Sequence, residues 1–229
     1  DQVVSRCDFL IDLHTAAVRR TNFPNVRTDC ENDECARLAQ AFGCEVIVNS
    51  TGPDGSLRKE AVKNGCAAIV VEAGEVWKVE PSVQELIIRG ISNVLAELGM
   101  TSAPRTGPPH QITVRETRWI RSETGGFLQF HVAPGDPVSI GQAIATSTGL
   151  LGTENEIIRS PLQGIVMGMT TMPAVGPGDP VAHIAIPTSA RQHHRVEKSI
   201  DHLESDTIEN QLREHLATNI VVTVHEEDS

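Results

Sequence analysis

The 229-residue chain contains no tyrosine, and aromatic residues make up only 3% of it. No apolar run approaches the roughly 18 residues of a membrane-spanning helix, and the first residues lack the charged-then-apolar order of a signal peptide. The contents of 39% hydrophobic and 21% charged residues are typical of a globular protein. We therefore expect a soluble protein of one large or two modest domains, with no membrane partner.

A paired-cysteine framework is also missing. The five cysteines are an odd number, lie in the first third of the chain and include no C-x-x-C pair. This pattern excludes a disulfide scaffold and a thiolate zinc knuckle, and it favours reduced cysteines in a cytoplasmic protein. The chain has 19 basic and 30 acidic residues, for a net charge of −11. An acidic chain is a poor ligand for nucleic-acid phosphates, so no nucleic-acid partner is expected.

Residues 1–100 alternate short apolar runs with amphipathic stretches, which predicts an α/β domain. Apolar runs bounded by turn signals indicate buried strands, and a 3.6-residue apolar spacing indicates helices. Because the strands are apolar on both faces, we expect a mostly parallel sheet covered by helices. The predicted strands are residues 8–13, 45–49 and 66–72, and the predicted helices are residues 33–42, 55–64 and 82–98.

A change in composition at residues 101–110 predicts a domain linker, since three prolines and a glycine in ten residues break regular structure. Residues 111–187 then read as short strands separated by Gly and Pro, which indicates an all-β, barrel-like domain. The sequence P-G-D-P-V occurs at 134–138 and again at 177–181. We interpret it as an internal duplication, the alternative being two unrelated turns. Residues 188–229 form a polar tail.

Two polar side chains follow predicted strands at the edge where an open α/β sheet places its ligand site. His14 comes directly after the first strand, and Asp12 is expected to point to the same side and orient the imidazole. Glu72 follows five apolar residues, which makes it a candidate acid or base. Alone, the histidine could be packed or solvated and the carboxylate could be a solvated rim residue. Together they predict one edge of a cleft.

Several segments, taken in order, resemble a known family. They are D-L-H at 12–14, V-E-A-G at 71–74, V-E-P at 79–81 opening a long helix, and N-V-L-A-E-L-G at 93–99. With the duplicated β region that follows, their order and spacing are similar to the succinylglutamate desuccinylase/aspartoacylase family, especially its bacterial deacylases. The resemblance covers residues 8–187 and implies a carboxypeptidase-like α/β catalytic domain.

This resemblance also implies a zinc-dependent hydrolase that cleaves the amide bond of an N-acyl amino acid or a related small molecule. The family holds zinc through an N-terminal H-x-x-E motif and a later histidine, which matches His14, and its general base matches Glu72. No histidine precedes His14. We therefore expect the chain to be the C-terminal part of a longer protein and to be inactive alone. An H-x-x-E at His194 to Glu197 follows the β region, which is the wrong order for the family.

Substrate recognition is expected from arginines after His14, in a predicted loop that holds Arg19, Arg20 and Arg27. A guanidinium fork is a natural clamp for a carboxylate, so Arg20 is the candidate substrate-binding residue. The plainer alternative is a set of solvated surface arginines.

Two rival interpretations concern the β region and the chemistry. The duplicated turn is also similar to biotinyl and lipoyl carrier barrels, but carrier function needs a lysine, and none lies between Lys78 and Lys198. We therefore read the β region as a lid or assembly surface. The other rival is a non-catalytic binding or scaffold protein with a carrier-like β-domain. The expected partner is a small N-acyl amino acid, and a homo-oligomer is compatible with a compact acidic enzyme.

Overall fold

A computed structural model describes residues 3–218 and 220. A short 3-10 helix at Val4–Arg6 precedes the regular elements. The strands are β1 Phe9–His14, β2 Arg20–Thr28, β3 Val46–Asn49, β4 Ala67–Glu75, β5 Ile112–Val114, β6 Glu116–Arg121, β7 Gly126–Phe130, β8 Pro137–Val138, β9 Ala143–Thr148, β10 Glu154–Arg159, β11 Gly164–Thr170, β12 Ala174–Val175 and β13 Pro180–Ile186. The helices are α1 Asp33–Phe42, α2 Leu57–Lys63, α3 Pro81–Glu97, α4 Ala190–Ile200 and α5 Ile208–Thr218.

The three predicted helices of the α/β part are confirmed to within two residues at each end, because their termini carry clear signals. The side chain of Asn32 accepts a hydrogen bond from the backbone N–H of Cys35 at the start of α1, and Ser56 does the same for Lys59 before α2. Such caps satisfy donors that a helix start leaves unpaired. The first residue of α3 is Pro81, which fits a helical start because it has no N–H to satisfy.

The predicted strands are confirmed as β1, β3 and β4, but the prediction of a loop over Arg19 to Arg27 is wrong. Most of this segment belongs to β2, which pairs with three other strands. Its sequence, R-T-N-F-P-N-V-R-T, contains a proline and few apolar residues, which is why it reads as a loop. The register of β2 against β4 shifts between Asn22 and Asn25, in the segment that contains Pro24.

The main sheet is mixed, so the prediction of a mostly parallel sheet needs correction. Within the described residues it has nine strands, with the order β1-β4-β2-β11-β13-β6; β3 joins β2 and β5, and β8 joins β11. The pairs β1·β4, β2·β3 and β3·β5 are parallel. The unpredicted β2 runs antiparallel to β4, and the strands from the β region other than β5 add only antiparallel pairs to this sheet.

The strands of residues 111–187 do not close into a barrel within the described part of the chain. They divide between the main sheet and a second sheet of four strands in the order β10-β9-β7-β12. The predicted barrel is therefore replaced by two sheets, because β11 pairs with β2 on one edge and β13 on the other. Residues 101–110 contain no helix or strand, as the linker prediction requires. The domain boundaries themselves stay a prediction.

The two P-G-D-P-V segments form turns with the same local geometry. The carboxylate of Asp136 accepts a hydrogen bond from the backbone N–H of Ala133, and Asp179 does the same with Gly176, both at 2.8 Å. Gly135 and Gly178 have φ angles of 97° and 85°, a region that favours glycine. The duplication of the surrounding halves stays a prediction.

The two faces of the α/β part are covered by different helices. Ile69 and Val71 of β4 pack into the core beneath α1 and α3, whereas Ala68 packs with Ala61 of α2 on the other face. Successive side chains of a strand point to opposite faces, so Glu72 lies on the α2 face. No helix in residues 3–218 is both long and apolar enough to cross a membrane.

The tail packs against the rest of the chain through α4 and α5; residues 219 and 221–229 of the predicted tail lie outside the described residues. Leu212 and Leu216 are buried in the core of the α/β part. Arg213 forms an ion pair with the buried Glu45, donates to the carbonyl of Gly135 at 2.8 Å, and lies over the ring of Phe23. Burial raises the pKa of the Glu45 carboxyl to about 7, and Arg213 opposes that rise.

We expect Arg213→Ala to destabilise the protein by about 3–5 kcal/mol, because it leaves the buried Glu45 carboxylate without its cation. Arg191→Ala is the matched control, since Arg191 is exposed on the neighbouring helix α4. Its effect should stay within about 0.5 kcal/mol. Urea unfolding measures both variants, and equal losses for the two would contradict a buried role for Arg213.

Candidate active site

The parallel pairing of β1 with β4 places two predicted site residues beside each other. His14 is the register partner of Glu72, and both lie near the ends of their strands. Asp12 lies two residues before His14, and its Oδ2 is 3.1 Å from Nε2 of His14. The His14 side chain is half exposed, which leaves its ring accessible from solvent. Asp12, His14 and Glu72 therefore lie close together on one side of the sheet, and their place at the edge of a cleft stays a prediction.

Two residues of β2 hold the Glu72 carboxylate. Nδ2 of Asn22 donates to Oε2 of Glu72 at 3.0 Å. Nε of Arg27 lies 3.9 Å from Oε1 and has no hydrogen-bond partner within the described residues. The Glu72 side chain is 22% exposed, so it remains accessible while both partners favour one orientation. This combination suits a carboxylate that exchanges protons with a bound molecule.

A second cation, Arg58, approaches from the first turn of α2. The residue is buried, and its Nε also lacks a hydrogen-bond partner among the described residues. Burial, followed by the charge of Arg27, lowers the pKa of the Arg58 guanidinium, whereas Glu72 and Asp12 oppose that change. Two guanidinium groups therefore put positive charge beside one carboxylate.

The candidate substrate-binding residue, Arg20, lies at the start of β2. Its guanidinium carbon is 4.7 Å from the ring centroid of Trp119, and it forms no ion pair within residues 3–218. The imidazole of His183 stacks on the same indole, with a centroid distance of 4.4 Å and an interplanar angle of 5°. Burial, with the charges of Arg27 and Arg20, lowers the pKa of His183 to about 4. His183 is therefore neutral at pH 7.

Four residues of the candidate site were not predicted from the sequence: Asn22, Arg58, Trp119 and His183. Asn22 belongs to the unpredicted strand, and Trp119 and His183 come from the β region, far away in sequence. Arg58 lies in the predicted helix 55–64, where an arginine is usually solvated. No local pattern marks any of them, since only the folded sheet brings them together.

The side chains that could bind a metal at this site match a zinc site only in part. A histidine with a carboxylate on one ring nitrogen is a common zinc ligand, as His14 and Asp12 show here. Catalytic zinc normally takes three protein ligands. The described residues contain no group of three His, Cys, Asp or Glu side chains that could hold a metal ion. The described residues therefore do not make a complete zinc site.

The H-x-x-E segment on α4 does not supply the missing ligands. Nδ1 of His194 is 3.5 Å from Oε2 of Glu197, one turn along the same helix. The neighbouring His193 is buried, and its ring bonds Gln163 and the carbonyl of Gly164. This arrangement joins α4 to the start of β11, which is a structural role.

Sequence and structure comparisons show which known proteins the chain is similar to. Residues 1–98 match the model of the succinylglutamate desuccinylase/aspartoacylase catalytic domain. The first 98 residues are therefore similar to the catalytic domain of that family. Among curated proteins, N-alpha-acetyl-L-2,4-diaminobutyric acid deacetylase of Halomonas elongata is 27% identical, and the match covers 80% of this chain and 57% of that protein.

Solved structures of the family share the fold. The apo structure of the ectoine utilization protein EutE (DoeB) of Ruegeria pomeroyi superposes with a TM-score of 0.71 at 18% identity, covering 80% of this chain and 62% of that one. A succinylglutamate desuccinylase/aspartoacylase of Rhodobacter sphaeroides gives a TM-score of 0.68 at 20% identity, with 82% and 60% covered. The chain thus spans about 60% of the length of the relatives that it matches.

Asn22 packs closely against Gly168 of β11, and substitutions can test this packing. A Cβ atom on Gly168 would lie 2.7 Å from Oδ1 of Asn22. Gly168→Ala should therefore destabilise the protein by about 1–3 kcal/mol. In an Asn22→Ala background the loss should be smaller, because the colliding carboxamide is gone. Denaturant unfolding of the two single variants and the double variant measures this coupling.

Gly176→Ala is the matched control, because the nearest atom to its added Cβ would be 3.7 Å away. It should cause no loss of stability. Equal losses for Gly168→Ala with and without Asn22 would show that the carboxamide does not occupy the space over Gly168.

Proposed function

We propose that the protein carrying this chain hydrolyses the amide bond of an N-acyl amino acid, with Glu72 as its general acid and base. The observation that supports this most directly is the Glu72 carboxylate, partly exposed beside His14 and held by Asn22 and Arg27. The similarity of residues 1–98 to the family's catalytic domain supports the reaction class, and so does the relative from Halomonas elongata, which is a deacetylase.

Glu72 has two tasks in the proposed reaction. Its carboxylate accepts a proton from the water that attacks the amide carbonyl, and it then delivers a proton to the leaving amine nitrogen. The hydrogen bond from Asn22 keeps one carboxylate oxygen engaged, which leaves the other free to face the water. As negative charge develops on the carbonyl oxygen, the charges of the partly buried Arg27 and the buried Arg58 favour it electrostatically.

The carboxylate of the amino acid is proposed to bind at Arg20. Its guanidinium is held against Trp119 and has no acidic partner within residues 3–218, so its donors are available to a ligand. The relative's name provides the first substrate to assay, N-alpha-acetyl-L-2,4-diaminobutyric acid. Simpler N-acetyl amino acids follow in the same assay.

Zinc dependence is also part of the proposal, with His14 as one ligand and Asp12 as the carboxylate that orients it. The described residues fall short of three ligands, so we propose that this chain alone is inactive and that further ligands complete the site.

Glu72→Gln should reduce turnover by about 100-fold or more in the protein that carries this chain, because an amide cannot relay the proton. Its zinc content should be nearly unchanged. Glu116→Gln is the control, since Glu116 is exposed on β6. The release of free amino groups from acetylated amino acids reports turnover. Retained activity in Glu72→Gln would remove Glu72 from the mechanism.

His14→Ala should lower the zinc content of the same protein, because it removes the one imidazole at the cleft edge. Elemental mass spectrometry measures the zinc-to-protein ratio, and His194→Ala serves as the control for the exposed histidine on α4. An unchanged ratio in His14→Ala would exclude His14 as a ligand. Loss of zinc in His194→Ala alone would assign the metal to the α4 segment instead.

A further inference from the structure

His183 is a buried, neutral histidine whose ring nitrogens have no described partner. The residue is only 8% exposed, and its imidazole stacks on Trp119. No hydrogen bond or ion pair joins its ring to another residue in the described part of the chain. The ring nitrogens are not among the fully buried polar atoms of the described residues that lack a hydrogen-bond partner, so a bound molecule can reach them.

The register of the sheet connects His183 to the candidate active site. His183 is the partner of Gly168 on β11, and Gly168 is the partner of Asn22 on β2. Directly paired residues point to the same face of a sheet. Asn22 bonds Glu72 on that face, so His183 and Glu72 lie on the same side of the main sheet.

Gly168 keeps the path between these residues open. It contributes no side chain to the row between His183 and Asn22, and the carboxamide of Asn22 lies over it. A side chain at this position would separate the imidazole from the carboxylate. The row Glu72, Asn22, Gly168, His183 therefore forms a continuous shelf, with Trp119 at its far end.

The chemistry of the far end suits a carboxylate. Trp119 holds the Arg20 guanidinium and the His183 imidazole within 5 Å of its ring. The guanidinium supplies charged donors, and a neutral imidazole supplies one N–H donor. The charges of Arg20 and Arg27 and the burial of the ring keep it neutral. A second cation at the position of His183 would repel Arg20, whereas a neutral donor does not.

We propose that His183 is a substrate-binding residue, which together with Arg20 binds the carboxylate of the N-acyl amino acid at the Trp119 end of the shelf. This inference rests on the proposed function for the identity of the ligand. It adds a residue of the β region to the site, and so gives that region a part in substrate recognition.

The binding experiment uses the fluorescence of Trp119. Trp77 is 86% exposed, so Trp77→Phe removes the other indole and leaves Trp119 as the single reporter. Titration with N-acetylglycine or N-alpha-acetyl-L-2,4-diaminobutyric acid should change the emission as the carboxylate binds beside the ring. His183→Phe keeps a ring to stack on the indole but removes the nitrogens. It should weaken binding by about tenfold or more.

Two further variants separate binding from packing. His183→Gln restores a hydrogen-bond donor and should recover part of the affinity, which a purely structural histidine would not show. His194→Phe is the matched control on an exposed histidine and should bind like the parent protein. If His183→Phe fails to fold, ligand-induced shifts of the His183 ring nitrogens in NMR spectra of the unaltered protein provide the same test.

Activity measurements distinguish this inference from the proposed function. In an active protein, His183→Phe should raise KM by about tenfold and change kcat little, because the residue binds substrate without touching the scissile bond. Hydrolysis with an unchanged KM in His183→Phe would overturn the inference and leave the function standing. Carboxylate binding that depends on His183, found together with no turnover in the zinc-loaded protein that carries this chain, would support the inference and contradict the function. An absence of any carboxylate binding to the parent protein would overturn the inference.

Discussion

The backbone pairing of β2 holds the main sheet together, and the candidate site depends on it. One edge of β2 pairs with β4, while the other pairs first with β11 and then with β3. The partner changes between Asn22 and Asn25, where Pro24 has no N–H to donate. A central strand that changes partner in this way joins the α/β part to the strands of the β region.

The same strand also sets the electrostatics of the site. Arg20, Asn22 and Arg27 all come from β2; Asn22 and Arg27 contact Glu72, and Arg20 contacts Trp119. The chain as a whole carries a net charge of −11, yet two arginines, Arg27 and Arg58, lie close to the carboxylate of Glu72. Local charge rather than net charge governs what a cleft attracts, so an acidic protein can present a cationic site to an anionic ligand.

In the described residues, strands of the β region and a helix of the tail pack together with the α/β part. β11 and β13 extend the main sheet, and α5 buries Leu212 and Leu216 in the core beneath it. Arg213 reaches from α5 to Glu45 beside β3 and to the carbonyl of Gly135 in the first repeated turn. Three distant parts of the sequence are therefore joined by one buried guanidinium.

Local sequence determined the features that depend on neighbouring residues. The apolar periodicity located α1, α2 and α3, and the apolar runs located β1, β3 and β4; the structure adds the side-chain caps of Asn32 and Ser56. The order of His14 and Glu72 along two such strands was enough to predict that they share one edge of the sheet. These features follow from short-range rules, because a helix or strand is chosen largely by the spacing of its own side chains.

Only the tertiary structure decided the rest. β2 is a strand because the neighbouring strands on both of its edges need its backbone hydrogen-bonding groups. The propensity of its own sequence for a strand is weak. The mixed direction of the sheet, the two sheets in place of a barrel and the stack of Arg20, His183 and Trp119 depend on pairings between residues up to about 150 positions apart, such as Arg20 with Thr170. Sequence patterns carry no record of such distant pairings, since they are selected by the burial of whole elements against one another.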